Sequence, residues 1–184
     1  TILASAGLLD ESKAIDEIFS SIQEKIVNLE TGTYDYSIDL TTFNEKKYSK
    51  NVLTSKRLLP QEDIATLKRR ENYSKVYLQY NKEKVEILIL PVRGLGLWGT
   101  LYGFIAIEAD LQTIIGLEFF KHKETPGLGA EVDNPNWKKL WNGKKIFGPS
   151  GEILISVMYF SFKIFFRNRS GSSEYSTNST FLLI

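Results

Sequence analysis

Four short apolar runs, separated by polar or glycine-rich breaks, fill the middle of the chain and constrain its fold more than any other feature. The runs are Val76–Tyr80, Val85–Val92, Leu101–Ile107 and Thr113–Phe120. Runs of this length that are rich in β-branched and aromatic residues are typical of strands. The polar turns Asn81–Lys84 and Ala109–Gln112 are short enough to join antiparallel neighbours. The sequence therefore predicts a twisted antiparallel sheet.

Helical patterns flank these strands. In the first 30 residues, apolar side chains recur at spacings of three and four, which is the period of one helix face. They are Ile15, Ile18, Phe19, Ile22 and Ile26. Pro60 predicts a short helix over Gln61–Asn72, and Asn134 predicts another over Asn134–Trp141, because proline favours the first turn and asparagine the cap. We expect an α+β fold, with an N-terminal helix that ends at Gly32, a twisted antiparallel sheet and short helices.

The composition excludes several classes of protein. The chain has no cysteine and one histidine, so disulfides, thiolate metal sites, cysteine nucleophiles and multi-histidine zinc sites are excluded, and we expect no metal. Its 23 basic and 22 acidic residues give a net charge of +1, which provides no electrostatic footprint for nucleic acid. No apolar stretch is long enough to span a bilayer, and the chain starts at Thr1 without a basic leader. We therefore interpret it as an excised piece from which a membrane anchor has been removed.

A glycine-rich segment follows the second predicted strand, from Arg93 to Thr100. Its glycines allow close approach of the backbone, and consecutive free amides in such a loop can hold an anion. Trp98 would add a flat apolar surface and Arg93 a positive charge. The alternative is a tight turn between strands with a core tryptophan. A dinucleotide-binding fingerprint is excluded, because the following residues predict a strand and not a helix.

A second polar loop runs from His122 to Val132. Pro126 and Gly127 favour a tight turn. Thr125, the amides after it, and Glu124 or Glu131 would present polar groups to a planar polar ligand or a phosphate. The alternative is a purely structural loop. For His122 itself, a surface or turn position is favoured over a catalytic role.

Two further patterns carry less information. Trp137 and Trp141 are four residues apart and share a helix face, which favours core packing. The adjacent Lys144 and Lys145 are either phosphate ligands or a solvated pair. Residues 33–75 are polar and mixed, which favours irregular structure. Within them, the basic cluster Lys68–Arg70 is either a solvated helix end or a contact for phosphate or lipid.

Taken together and in this order, these motifs closely resemble a known family. Gly-Leu-Trp at 96–98, Glu-Thr-Pro-Gly-Leu-Gly at 124–129, and Asn-Pro-x-Trp before Gly-Lys-Lys at 143–145 are similar to the subunit designated C in the bacterial sodium-translocating NADH:quinone reductase. The resemblance runs from residue 2 to about residue 157. The subunit designated G in the Rnf electron-transfer complex, which shares the FMN-binding domain, is more distantly similar.

The resemblance implies a fold, a cofactor, partners and a location. Family members have an FMN-binding domain-like fold and are anchored in the inner membrane by one N-terminal helix, with this domain on the periplasmic side. Their FMN passes electrons among the other subunits of a complex that couples NADH oxidation and quinone reduction to sodium export. The flavin is joined through its phosphate to a threonine. The positions that would form the flavin environment are Gly96, Leu97, Trp98, Glu124, Thr125, Gly127, Leu128 and Gly129, with Lys144 as a further candidate.

The C-terminal part departs from the family pattern. The family's attachment motif, Ser-Gly-Ala-Thr, is absent, and the aromatic run Met158–Phe166 has no counterpart. In Ser170–Ser173, the nearest match, Ser173 falls at the acceptor position for covalent attachment. The alternative is a chance match in an altered tail, with covalent attachment lost. The run itself predicts either a strand against the sheet or an exposed aggregation-prone segment.

These patterns divide the chain into an N-terminal helical segment (1–32), an FMN-binding α+β domain (33–157) and an atypical tail (158–184). We expect an electron-transfer subunit that does not itself bind NADH or conduct sodium. The alternatives are a periplasmic structural module without flavin, a Rnf-type electron-transfer subunit and a reductase that binds free FMN.

Overall fold

A five-stranded antiparallel sheet dominates the computed structural model, which describes residues 2–8, 20–126, 129–160, 163–168 and 180–181. Its strands are β1 (Ile22–Asn28), β4 (Tyr73–Asn81), β5 (Lys84–Leu95), β6 (Thr100–Glu108) and β7 (Ile114–Lys121), in the order β1-β4-β5-β6-β7. The four predicted strands are confirmed as β4 to β7, and the two predicted polar turns connect them. Each central strand pairs with the next along the chain, so the sheet is a meander and its β5–β6 turn lies at one end.

One face of this sheet carries the main core. Alternate residues of β5, β6 and β7 point towards a short helix, α3 (Pro135–Lys139), and the turn that precedes it. Trp137 and Trp141 are buried there with their rings 5.4 Å apart in an edge-on arrangement, as predicted from their spacing. Asn134 caps α3 by accepting a hydrogen bond from the backbone of Asn136, at 2.9 Å, which confirms the predicted start of this helix.

The opposite face is covered by two short helices, α1 (Ile2–Ser5) and α2 (Glu45–Lys50). Ala6 after α1 packs on Ile89 and Ala106 of the sheet. Gly116 allows this close approach, because a β-carbon there would lie 2.4 Å from the carbonyl oxygen of Ser5. Among the described residues, no helix is both long and apolar enough to cross a membrane.

Two smaller sheets complete the described structure. Strands β2 (Ser55–Arg57) and β3 (Arg69–Glu71) form an antiparallel pair beside α2. Strands β8 (Ile155–Phe160), β9 (Lys163–Asn168) and β10 (Thr180–Phe181) form a separate sheet in the order β10-β8-β9. The described residues of the aromatic run at 158–166 are therefore extended, which confirms the predicted strand, but the prediction that it lies against the main sheet was wrong, because these strands form a separate sheet.

Two helix predictions were wrong. Residues Ile22 to Asn28 form β1, which pairs with β4 at the sheet edge, so the helical pattern does not continue to Gly32. The part of that prediction that falls on residues 9–19 lies outside the described residues. The helix predicted over Gln61–Asn72 is absent: turns reach Lys68, and β3 follows. Thr66 and Lys68 both have positive φ, which a right-handed helix cannot contain.

Candidate cofactor-binding site

The β5–β6 turn presents large apolar side chains to solvent. The amide of Gly96 donates to the carbonyl of Gly99 at 2.7 Å, which closes the turn. Leu97 is 50% exposed and Trp98 is 59% exposed. Trp98 is therefore not a core residue, which contradicts the alternative drawn from the sequence. Exposed apolar side chains on a well-formed turn offer a contact surface for a ligand or a partner.

The loop after β7 meets this turn through one carboxylate. The side chain of Glu124 is only 6% exposed, and its Oε1 accepts a hydrogen bond from the amide of Trp98 at 3.3 Å. A β-carbon added to Gly96 would lie 2.4 Å from the same oxygen and 2.3 Å from a methyl group of Leu101. The lack of a side chain at position 96 thus leaves room for the carboxylate to reach the turn, and the two predicted loops lie side by side.

The second oxygen of this carboxylate has no partner. Oε2 of Glu124 is buried and, within the described residues, accepts no hydrogen bond. An unsatisfied buried acceptor costs about 1–3 kcal/mol, so native structures rarely retain one without a reason. Its position beside an exposed apolar turn provides an acceptor for an N–H or O–H group of a ligand.

His122 holds the loop in this arrangement. Its Nδ1 accepts the amide hydrogen of Glu124 at 3.1 Å, and its Nε2 lies 2.9 Å from Oδ2 of Asp133. With Nδ1 as acceptor, the ring carries its hydrogen on Nε2 and donates it to the carboxylate. The histidine therefore joins β7 to the 3₁₀ turn Ala130–Asp133 and is a turn residue, in line with the favoured prediction.

The structure describes only some of the other residues of the predicted loop at 122–132. Thr125 is exposed, and its carbonyl accepts the amide of Ala130 at 3.2 Å, which closes the loop around a buried Gly129. Glu131 is engaged elsewhere, because its Oε2 accepts a hydrogen bond from the side chain of Asn134 at 2.8 Å. Of the two glutamates considered, Glu124 is the one at the turn. The candidates Gly127, Leu128 and Ser173 lie outside the described residues.

Lys144 does not lie near the β5–β6 turn and Glu124. Its carbonyl accepts the amide of Ile114, at the start of β7, at 2.9 Å. That is the other end of the sheet, separated from the turn by the nine residues of β6, or roughly 30 Å. Lys145 beside it is half exposed and pairs with Asp110 at 2.8 Å, at that same end of the sheet.

The side chain of Arg93 is also directed away from the β5–β6 turn, towards Glu71. Its guanidinium forms an ion pair with Glu71 on the face of the sheet that α2 covers. Burial raises the pKa of the Glu71 carboxyl, and the charge of Arg93 partly offsets this. No local sequence pattern indicates this pair, or the pair between His122 and Asp133, because both join residues that are distant along the chain.

Comparison with known proteins identifies the family to which this arrangement belongs. The model of the FMN-binding domain family matches residues 96–171, a stretch that begins at the β5–β6 turn and includes the Glu124 loop. The crystal structure of Shewanella oneidensis NqrC is similar with a TM-score of 0.76 at 30% sequence identity, over 89% of this chain and 78% of that one. The chain belongs to the NqrC family.

Curated NqrC proteins, which are components of the Na(+)-translocating NADH-quinone reductase, extend this comparison. That of Pseudomonas aeruginosa is 45% identical over 162 residues, which are 86% of this chain and 62% of the relative. That of Haemophilus ducreyi is 37% identical over 158 residues, which are 85% of this chain and 61% of the relative. The chain thus spans about three fifths of the length of these NqrC relatives. The predicted resemblance and the α+β fold class are both confirmed.

The described residues fit a flavin at the turn. A flavin has a broad apolar ring with N–H and O–H donors at its edges. The exposed side chains of Leu97 and Trp98 offer the apolar contact, and the unpaired oxygen of Glu124 offers an acceptor within the same cluster. The family model points to FMN as the cofactor.

Proposed function

We propose that this chain is the FMN-carrying electron-transfer domain of a sodium-translocating NADH:quinone reductase. The observation that carries the proposal is the buried carboxylate of Glu124, which joins two loops and has one oxygen without a partner among the residues that the structure describes. The names of the NqrC relatives support the reductase complex as its setting. The chain would neither bind NADH nor conduct sodium.

Each residue of the cluster has a distinct task in this proposal. Glu124 accepts a hydrogen bond from the flavin, Leu97 and Trp98 exclude water from one side of its ring, and Gly96 keeps the approach open. Thr125 and Gly129 belong to the opposing loop, and Gly127 and Leu128 stay candidates by their place in the motif. FMN supplies the redox chemistry, and the protein supplies its position and electrostatic environment. Lys144 is left out, because it lies at the far end of the sheet.

Attachment of the flavin is a separate part of the proposal. The family's ester would fall on Ser173, but the motif around it is incomplete, so we propose that the two loops hold FMN without a covalent bond. Covalent attachment at Ser173 is the second candidate. Co-expression with the flavin transferase, followed by native and denaturing gels viewed for flavin fluorescence, separates the two.

The gel has three outcomes. Fluorescence on the native gel that is released by denaturation supports loop-held FMN. A fluorescent band on the denaturing gel that Ser173→Ala abolishes would show the ester instead. A protein without fluorescence on either gel would contradict flavin binding and favour the alternative of a structural module, which the altered tail at 158–184 already favours.

The proposed setting is the periplasmic face of the bacterial inner membrane, with the other reductase subunits as partners and an anchoring helix N-terminal to this domain. The domain boundary at residue 33 stays a prediction, and a boundary before Ile22 is the alternative that the pairing of β1 with β4 supports. Pull-down of the reductase subunits from membranes, using the chain as bait, tests this setting. Recovery of no reductase subunit would contradict it.

A further inference from the structure

A cavity lies on the face of the sheet away from the main core, and its walls are strongly basic. It has a volume of about 420 Å³ and lies between α2, the loop at 66–68 and the start of β6. Its cationic lining residues are Lys46, Lys50, Lys68, Arg69 and Arg93. The hydroxyl-bearing side chains around them are Ser49, Thr66, Thr100 and Tyr102, and none of the described lining residues is a carboxylate.

Most of this positive charge is uncompensated. Arg93 is paired with Glu71, but no carboxylate of the described residues lies within ion-pair distance of Lys46, Lys50 or Lys68. By contrast, Lys56, Lys75, Lys138 and Lys145 each have an acidic partner. Cations that converge on one cavity repel each other, and a bound anion would relieve that repulsion.

Every acceptor that the described residues offer to the guanidinium of Arg69 is neutral. Its Nε donates to the hydroxyl of Ser55 at 2.9 Å, and one terminal nitrogen donates to the carbonyl of Ser55 at 2.7 Å. Ser55 is itself fixed, because its hydroxyl donates to the carbonyl of Asn51 at 2.5 Å. Arg69 is therefore positioned without losing its charge to a carboxylate, which suits planar recognition of an oxyanion.

Hydrogen bonds also fix the backbone of the loop that carries Lys68. Asp63 accepts the amides of Leu67 at 2.6 Å and of Lys68 at 2.8 Å, and Ala65 accepts the amide of Leu95 from the end of β5 at 2.9 Å. Thr66 and Lys68 are held at φ values of 55° and 65°. Such conformations cost energy in non-glycine residues, and they persist where the surroundings impose them.

We propose that this cavity binds a phosphate group, with Lys46, Lys68 and Arg69 as its principal ligands. Lysine supplies compact charges and arginine a planar pair of donors, which is the combination that phosphate oxygens require. The cavity is larger than a phosphate group, so the phosphate can belong to a phospholipid headgroup or to a small soluble phosphate. The site shares no residue with the flavin cluster and does not depend on the proposed electron-transfer role.

Two binding measurements on the whole chain distinguish these sources. In the first, inorganic phosphate is titrated at constant ionic strength, and the backbone amide resonances are followed by NMR. In the second, the chain is sedimented with vesicles of phosphatidylcholine alone or mixed with phosphatidylglycerol. Saturable shifts at Thr66, Lys68 and Thr100 support a small phosphate, and binding to the anionic vesicles alone supports a lipid headgroup.

A charge-matched pair of variants tests the assignment to this cavity. In Lys46→Gln/Lys68→Gln, we expect at least a tenfold loss of affinity in whichever measurement shows binding. The control, Lys82→Gln/Lys84→Gln, removes the same charge from the exposed turn between β4 and β5 and should keep the affinity of the unaltered chain. Equal losses in both variants, or no binding in either measurement, would overturn the proposal. Circular dichroism of both variants checks that they fold.

Discussion

The two ends of the central sheet are each held by a carboxylate, but the two carboxylates differ. At the β6–β7 turn, Asp110 is exposed and both of its oxygens are used: it accepts from the amides of Gln112 and Thr113, the hydroxyl of Thr113 and the amino group of Lys145. At the β5–β6 turn, Glu124 is buried, and within the described part of the chain it accepts one long hydrogen bond of 3.3 Å and leaves its other oxygen unpaired.

This difference separates a structural carboxylate from one available to a ligand. Asp110 has filled its acceptor capacity within its own turn, so it has little to offer another molecule. Glu124 keeps a buried acceptor open although burial makes this costly. We infer that the Asp110 end stabilises the sheet and that the Glu124 end is reserved for the cofactor.

Gly96→Ala should have the largest effect, because the added methyl group meets both Glu124 and the buried Leu101. We expect the carboxylate to be displaced, flavin affinity to fall by about a hundredfold or more, and the free energy of unfolding to fall by about 1–3 kcal/mol. Urea unfolding and FMN titration measure the two effects. Gly94→Ala is the matched control, since its β-carbon would lie 3.7 Å from that of Ala65, an ordinary contact. Equal losses in both variants would show that the space at Gly96 is not special.

Glu124→Gln should have the next largest effect, on binding rather than stability. The amide oxygen can still accept from Trp98, but the amide nitrogen places a donor where an acceptor is required. We expect a loss of about 1–3 kcal/mol in binding, or roughly tenfold to a hundredfold in the Kd for FMN. Calorimetric titration of FMN measures this loss. Asp110→Asn serves as control and should bind FMN like the unaltered chain; a comparable loss there would remove the distinction between the two ends.

Asp110→Asn should have the smallest effect, and it depends on pH. The amino group of Lys145 and the hydroxyl of Thr113 hold the pKa of the Asp110 carboxyl below its ordinary value of 3.8. A lowered pKa in the folded state adds stability above the ordinary pKa, and this contribution is lost as the pH falls through the folded-state value. The melting temperature of the variant should therefore be lower at pH 7, and the gap should close in acid. A gap that stays constant down to pH 2 would contradict the assignment.

The sheet was predictable because its signals are local. Runs such as Val85–Val92 carry both the strand composition and adjacent turn residues, and consecutive strands pair with each other. The error at β1 has a physical cause: positions 22 and 26 share a face in a helix and also in a strand, so the spacing of Ile22 and Ile26 could not decide between them. Strand β3 pairs with β2 across the whole loop between them, which no local pattern reveals.

The candidate site was predictable as two loops but not as a cluster. The motifs at 96–98 and 124–129 mark two loops, and the chain order places both after strands that end on the same side of the sheet. Which side chain is buried between them depends on tertiary packing, so the choice of Glu124 over Glu131 needed the structure. Lys144 was misplaced, because proximity in a motif says nothing about which end of a sheet a residue occupies.

The most direct test of the central claim is to locate FMN on the chain by NMR. Unlabelled FMN is added to isotopically labelled protein, and the shift of every assigned amide is mapped. The account predicts saturable shifts at Gly96, Trp98, Glu124 and Thr125, and none at Gln112, Thr113 or Lys145. Shifts confined to the Asp110 end, or the absence of any saturable shift, would contradict it.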